Sequence, residues 1–414
     1  MPDLFLGLDI GTSGVRAIAI DEKRLVHAEG KSEMSGDFRA PDMWWRAAEN
    51  AIKIVFEQID PRNVRALSVD GTSGTMLALD RAGNPIGSGI MYNDPCHDIE
   101  ILACIKQIAP ADSAALGSNS ALARAIGLQD ARPAKIVHQA DWVASYFSGI
   151  HTSDENNALK TGYDLHERRW PDWINDAGMD RSLFPEVFAP GTAVGTICQS
   201  AQSAFGLSSD TVVVAGTTDG CASFVATGAD QPGEGVTALG TTMTIKLLSD
   251  RPISAPEYGI YSHRILGHWL AGGASNTGGK VLLHYFKQEE LIKLSEQIDP
   301  SDPSPFAYYP LSEPGERFPV SDPNLQPILE PRPIEDADFL KAMLDGIARI
   351  EALGYRRLHA LGAPEPRNIR TVGGGAQNET WSKLRKNRLN VPMTEPDSTE
   401  AAFGSALLAR RGMQ

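Results

Sequence analysis

A polar tripeptide, Gly-Thr followed by Ser or Thr, occurs four times in this chain, each time after a short apolar run. The copies are Gly11-Thr12-Ser13, Gly71-Thr72-Ser73, Gly216-Thr217-Thr218 and Gly240-Thr241-Thr242. Apolar runs of this length broken by Gly-containing polar turns read as strands rather than helices. LFLGLDI, then GTSG, then VRAIAI at 4–20 reads as a hairpin, and GEGVTALGTTMTIKLLSD in the second half repeats the design. The duplication is two-fold. At 414 residues the chain exceeds the length over which one core keeps growing, so two α/β domains are expected.

Between the strands the period changes. WWRAAENAIKIVFEQI at 44–59 is an amphipathic helix, residues 95–150 carry helical patterns, and 151–173 is polar and aromatic, like a loop. TVVVAGTTDG returns to a strand, followed by a small-residue helix from about Cys221. The Pro-rich stretch 299–334 reads as an ordered excursion or lid rather than a helix. Helix is expected again over 337–353, a strand at Ile369 to Val372, the run Gly373-Gly374-Gly375, and a last helix over 398–411.

Bulk properties exclude several classes. A formal net charge of -14 with no dense Lys/Arg run argues against nucleic acid as a partner. No stretch is apolar long enough to span a bilayer and the N-terminus lacks a secretory pattern, so no membrane partner and a cytoplasmic location are expected. Cys96, Cys104, Cys198 and Cys221 have no zinc-site spacing, and His263, His268 and His284 define no metal face. The P-loop pattern fails at Gly279-Lys280, where Ala274 and Val281 stand at the required Gly and Ser/Thr positions. The dinucleotide fingerprint fails where Gly373 and Gly375 are followed by Asn378.

What remains is a hairpin turn with backbone N–H groups and hydroxyls exposed, once near each domain start. Gly lets successive amides point at one anion, and Thr and Ser add donors without charge. Gly11, Thr12 and Ser13 in one half and Gly240, Thr241 and Thr242 in the other are therefore the phosphate-binding candidates. Asp219 ends a strand and opens a helix, a position suited to a general base or to a helix cap. Gly373, Gly374, Gly375, Asn378 and Trp381 form the nucleoside candidate: glycines for close approach, an amide, and an aromatic wall.

LGLDIGTSGVRAIAID, AGTTDGCASFVATG, ALGTTMTIKL, GGASNTGG and VGGGAQNETW, in this order and spacing, resemble the FGGY carbohydrate kinases of the actin, hexokinase and sugar-kinase superfamily. The length and the runs SVDGTSGT and MYNDPC resemble that family's compact D-ribulose or xylulose-type pentulose kinases. The resemblance implies two ribonuclease H-like (actin/hexokinase-type) α/β domains around a deep cleft. Residues 1–226 would form the sugar-binding domain, 227–398 the nucleotide-binding domain, and 399–414 a helix packing back on the first. It implies ATP and Mg2+ as cofactors and a small-molecule sugar as substrate, in a monomer or homodimer. Asp219 would be the general base, and Asp9 would lie with Asp219 near Mg2+ through water. Ser73, Asn93 and Asp94, with Asp9, Thr12 and Asp219, would contact the sugar. D-ribulose is the preferred ketopentose, with xylulose, other polyols, or a superfamily ATPase or sugar sensor as alternatives.

Overall fold

A computed structural model describes residues 2–302 and 304–414. The chain divides into two compact units. The first comprises residues 1–226, 263–266 and 400–414, and the second residues 227–262 and 267–399.

The first unit is built on strands β1 (Leu4–Ile10), β2 (Gly14–Asp21), β3 (Val26–Glu33), β4 (Val64–Gly71), β5 (Met76–Leu79), β6 (Lys135–His138), β7 (Thr152–Asp154), β8 (Glu186–Phe188), β9 (Ala193–Thr196) and β10 (Val212–Thr218). Its main sheet has the order β3-β2-β1-β4-β10-β9. β1 pairs antiparallel with β2 and parallel with β4, and β4 runs parallel to β10. Parallel strands need cover on both faces, and their residues are apolar almost throughout. One cover is the helix Pro41–Phe56, whose buried Trp44, Ala47, Ala48, Ala51, Ile52 and Val55 recur at helical spacing. Its start precedes the apolar pattern because Pro41 fits the first helical turn. The other cover is the helix Ala401–Arg411, which carries Ala402, Phe403, Ala406 and Ala409 onto Phe5, Ile18, Ile20 and Val214. Gly7 makes that docking possible: a Cβ there would meet Ala402 O at 2.0 Å and Ala406 N at 2.2 Å.

Three local readings change. Gly216-Thr217-Thr218 is no turn but the end of β10, and Gly216 is needed because a Cβ would meet Val69 O of the neighbouring strand at 1.8 Å. The helical region 95–150 contains β6, which pairs with β5. The loop-like 151–173 contains β7 and a helix, Glu155–Leu159, whose polar residues are buried by hydrogen bonding rather than exposed.

The second unit has β11 (Glu234–Leu239), β12 (Met243–Ser249), β14 (His268–Ser275), β15 (Asn368–Val372) and β16 (Met393–Thr394), while β13 (His263–Ile265) groups with the first unit. Its strands run in the order β14-β12-β11-β15-β16. A long helix, Asp336–Ala360, packs Phe339, Met343, Ile347 and Ile350 into the core with Ile245 and Leu247. The Pro-rich stretch has no helix and no strand among its described residues, only isolated bridges such as Tyr309 to Ile328 and Glu316 to Asp322.

Candidate active site

In the first unit, three neighbouring parallel strands end together. The register places Asp9 opposite Asp70, and Asp70 opposite Thr217, two residues before Asp219. Ligands in parallel α/β sheets collect at this carboxyl edge, where loops and helix N-termini expose backbone amides. Asp219 is the first residue of the helix Asp219–Ala226, and its Oδ1 accepts from the Gly220 amide at 2.6 Å.

The carboxylates are not equivalent. Asp70 is fully buried and its Oδ2 accepts from the Ser405 hydroxyl at 2.5 Å. Burial first, then the charge of Asp9, pushes its carboxyl well above the usual carboxylate range. Asp9 is raised to about 6, by burial first, with Asp70 hydrogen bonding and Arg16 opposing and Asp219 adding. Burial therefore holds the proton of the pair more strongly on Asp70 than on Asp9, and Asp70 Oδ1 is buried without a hydrogen-bond partner. Asp70 stands in the sequence just before a Gly-Thr-Ser copy, as Asp9 does; that repeated carboxylate was the signal for a role the motif reading left unassigned.

The first turn joins β1 to β2, with Gly11 N donating to Gly14 O at 3.0 Å and Met34 N donating to Ser13 O at 2.9 Å. Thr12 and Ser13 are exposed. A cavity of about 490 Å³ opens beside it, lined among others by Asp9, Gly11, Ser13, Arg16 and Lys31. Arg16 is also ion-paired to Glu400. This polar recess brings together a Gly-containing turn, the Ser13 hydroxyl, Arg16 and Lys31, and the carboxylates of Asp9 and Glu33, a set suited to a hydrated divalent cation and an anion together. Among the described residues no group of three or more His, Cys, Asp or Glu side chains forms a direct metal cage.

The second Gly-Thr-Ser copy is locked from below. Thr72 Oγ1 lies 2.6 Å from Thr75 Oγ1 and donates to Gln139 Oε1 at 2.8 Å, while Thr75 Oγ1 accepts from Tyr92 N at 3.1 Å. Ser73 Oγ is buried and lacks a partner. Arg124, 4% exposed, joins this loop to 91–94: it donates to Gly74 O at 3.0 Å, Tyr92 O at 2.5 Å and Asp94 O at 3.1 Å. The Asp94 carboxylate is taken up by Arg39, at 2.6 and 3.1 Å, and by the Met91 amide. Asp94 thus serves as a loop clasp, whereas Asn93 lies in the same turn and is exposed. Arg124, inside an otherwise apolar helix, and Gln139, the first residue of the helix Gln139–Ser148, are buried polar residues that escaped the motif reading.

In the second unit β11 runs parallel to β15, with Ala238 opposite Val372. The turns that follow, Gly240-Thr241-Thr242 and Gly373-Gly374-Gly375, therefore leave adjacent strand ends. Gly240 and Thr241 are exposed, and their carbonyls accept from Gly279 N at 2.8 Å and Lys280 N at 3.0 Å. Gly373 has φ +88 and a Cβ there would meet Leu239 O at 2.7 Å, so only glycine fits. Trp381 corrects the expected aromatic wall. It is 2% exposed, its Nε1 donates to Leu344 O at 3.2 Å, and Gly375 would clash with it at 2.6 Å on gaining a Cβ. It is a floor beneath the glycine turn, buried because the helix Glu379–Leu389 turns it inward. Asn378 is that helix's cap, accepting from Trp381 N at 2.9 Å and donating to Ser295 Oγ at 2.8 Å.

Among the described residues no helix is long and apolar enough to cross a membrane. Xylulose kinase of Escherichia coli K12 is 24% identical over 411 residues, covering 92% of this chain and 84% of that protein. L-fuculokinase of Salmonella typhi is 23% identical, covering 98% and 91%. The structure of a Brucella ovis xylulose kinase matches with a TM-score of 0.86 at 22% identity, covering 99% of this chain and 90% of that one. The fold is thus the mixed α/β two-domain fold of solved sugar kinases. The model of the N-terminal domain of the FGGY family of carbohydrate kinases matches residues 4–115 and 122–226, and that of the C-terminal domain matches 235–413. With both models matched over nearly the whole length, this chain belongs to the FGGY family of carbohydrate kinases and is a sugar kinase.

Proposed function

We propose that this kinase transfers the γ-phosphoryl group of ATP to a terminal hydroxyl of a ketopentose, with D-ribulose preferred. The observation that carries the reading is the meeting of Asp9, Asp70 and Asp219 at the ends of three adjacent parallel strands, with Asp219 alone opening a helix. In-line transfer needs charge shielding, a fixed acceptor and a base for the hydroxyl proton.

Asp219 takes that proton. Asp70, fully buried and bonded to Ser405, cannot reach a substrate, and Asp9 faces the phosphate turn. Gly11, Thr12 and Ser13 form a phosphate-binding turn in the first unit, and Gly240, Thr241 and Thr242 form another in the second. Asp9 and Asp219 would hold Mg2+, which when bound would supply charge neutralisation at the transferred group. Ser73 and Asn93 contact sugar hydroxyls from loops that Arg124 holds together. Residues 373–378 receive the nucleoside.

The second reading is xylulose as acceptor. Several relatives are named xylulose kinases, and they span almost the whole chain. The test is ADP release from Mg-ATP across D-ribulose, D- and L-xylulose, L-ribulose, glycerol and ribitol, with Asp219→Ala alongside. One ketopentose should stimulate turnover strongly, and the variant should lose about 10²–10⁴ of the rate. Sugar-independent turnover that survives in the variant would point instead to an ATPase or a sensor with weak turnover.

A further inference from the structure

The Pro-rich stretch 299–334 contains one deeply buried carboxylate, Glu316, 3% exposed. Its Oε2 accepts from the Ser275 hydroxyl at 2.6 Å and the Tyr309 hydroxyl at 3.1 Å. Its Oε1 accepts from Asn276 N at 2.8 Å and Arg317 N at 2.9 Å. The adjoining Gly315 carbonyl accepts from Asn276 Nδ2 at 3.0 Å. The Phe318 amide adds a fifth donor to Oε1 at 3.5 Å, and five donors on two oxygens are what make such burial of a charge tolerable.

The segment that Glu316 grips leads directly to the second phosphate turn. Ser275 Oγ accepts from Thr277 N at 3.1 Å, and Thr277 O accepts from Met243 N at 2.8 Å. Gly279 N and Lys280 N then donate to the carbonyls of Gly240 and Thr241. Gly278 lies so close to Thr242 that a Cβ would come within 2.8 Å of its Cα. There is no slack along this path, so a shift at 275–277 is passed to 240–242.

We infer that Glu316 is a positioning residue for the Gly240-Thr241-Thr242 turn, and that the Pro-rich stretch exists in part to deliver it. Glu316 touches no nucleotide; it sets the ledge 275–280 on which the turn's carbonyls rest. Glutamine cannot replace it, because it offers one acceptor oxygen and an NH2 group, so donors on one side lose their partner. This inference rests on the proposed reading of 240–242 as a phosphate grip.

The test titrates MgATP, MgADP and adenosine into the full chain by calorimetry, for wild type, Glu316→Gln, Ser275→Ala and Thr242→Ala. Glu316→Gln should weaken MgATP and MgADP about tenfold, the cost of roughly one charged hydrogen bond, while adenosine stays within about twofold. Steady-state kinetics should show a raised KM for ATP and an unchanged KM for sugar. Ser275→Ala, at the other end of the same bond, should give the same pattern and serves if the first variant does not fold. Unchanged MgATP affinity in Glu316→Gln, or an equal loss for adenosine, overturns the inference. If Thr242→Ala also leaves MgATP affinity intact, the phosphate reading of the turn has failed and the inference falls with it. If Thr242→Ala weakens MgATP and Glu316→Gln does not, only the inference falls.

Discussion

Asp154 offers a direct measure of what polar burial costs in the first unit. It ends β7 and caps the helix Glu155–Leu159, its Oδ1 accepting from the amides of Asn156 at 2.8 Å and Asn157 at 3.1 Å. Its Oδ2 accepts from Asn157 Nδ2 at 2.6 Å. Even with these bonds, burial raises its pKa to about 6, with Glu155 adding a smaller push. The native state therefore holds this proton more tightly than the unfolded chain, so the associated stability is present below the unfolded pKa and is lost as pH rises through the native one. From 3.8 to about 6 the shift corresponds to about 3 kcal/mol once the group is ionised in both states. Asp154→Asn keeps the capping oxygen and removes the titration. The Asn157 amide, whose Oδ1 is buried without a partner, can reverse to accept from the new NH2 group. Relative to wild type, the variant should gain about 1 kcal/mol between acid and pH 4.5, and about 3 kcal/mol by pH 7. Urea unfolding followed by tryptophan fluorescence across that range reads the difference, since five of the seven tryptophans lie in the first unit. A difference that stays flat with pH would refute the assignment of the shift to Asp154.

Further perturbations test other parts. Gly7→Ala drives a methyl group into the backbone of the helix Ala401–Arg411 and should destabilise the first unit by about 3 kcal/mol or more, beyond ordinary overpacking; a thermal midpoint unchanged from wild type would show that the helix adjusts freely. Glu351→Gln strands Arg385, whose Nε and Nη2 donate to that carboxylate at 2.6 and 2.7 Å with both side chains fully buried. The expected loss is about 3–5 kcal/mol in urea unfolding, and a loss below about 1 kcal/mol would contradict it. Arg124→Lys replaces a fork spanning three carbonyls with a single ammonium, so the KM for sugar should rise about tenfold while that for ATP holds. Equal changes in both constants would argue against a local effect on the 72–75 and 91–94 loops.

The parts legible in the sequence were those where local chemistry decides the outcome. The β1–β2 and β11–β12 hairpins follow from apolar runs broken by Gly-Thr turns, and both appear in the structure. The family and the sugar kinase activity were legible from the order of five weak motifs. Local chemistry failed where a residue's task is set by distant chain. Gly216 reads as a turn glycine, yet its absent side chain serves the approach of Val69 from another strand. Trp381 reads as an aromatic wall for a nucleoside, but tertiary packing places it in the core. Asp70, Arg124, Gln139 and Glu316 act through partners 30 or more residues away in sequence, a distance over which periodicity carries no information.

The helix Ala401–Arg411 also sets an order of events during synthesis. The ribosome makes β1 before the second unit, but the surface that covers Phe5 and Gly7 and the Ser405 hydroxyl that satisfies Asp70 emerge only after the whole of that unit. Until then the nascent first unit presents an uncovered sheet face and an unsatisfied buried carboxyl, a state in which apolar surface invites wrong contacts. Slow elongation through the second unit lengthens that exposure, and a chaperone that shields the sheet face would protect this protein most while its second half is still being translated.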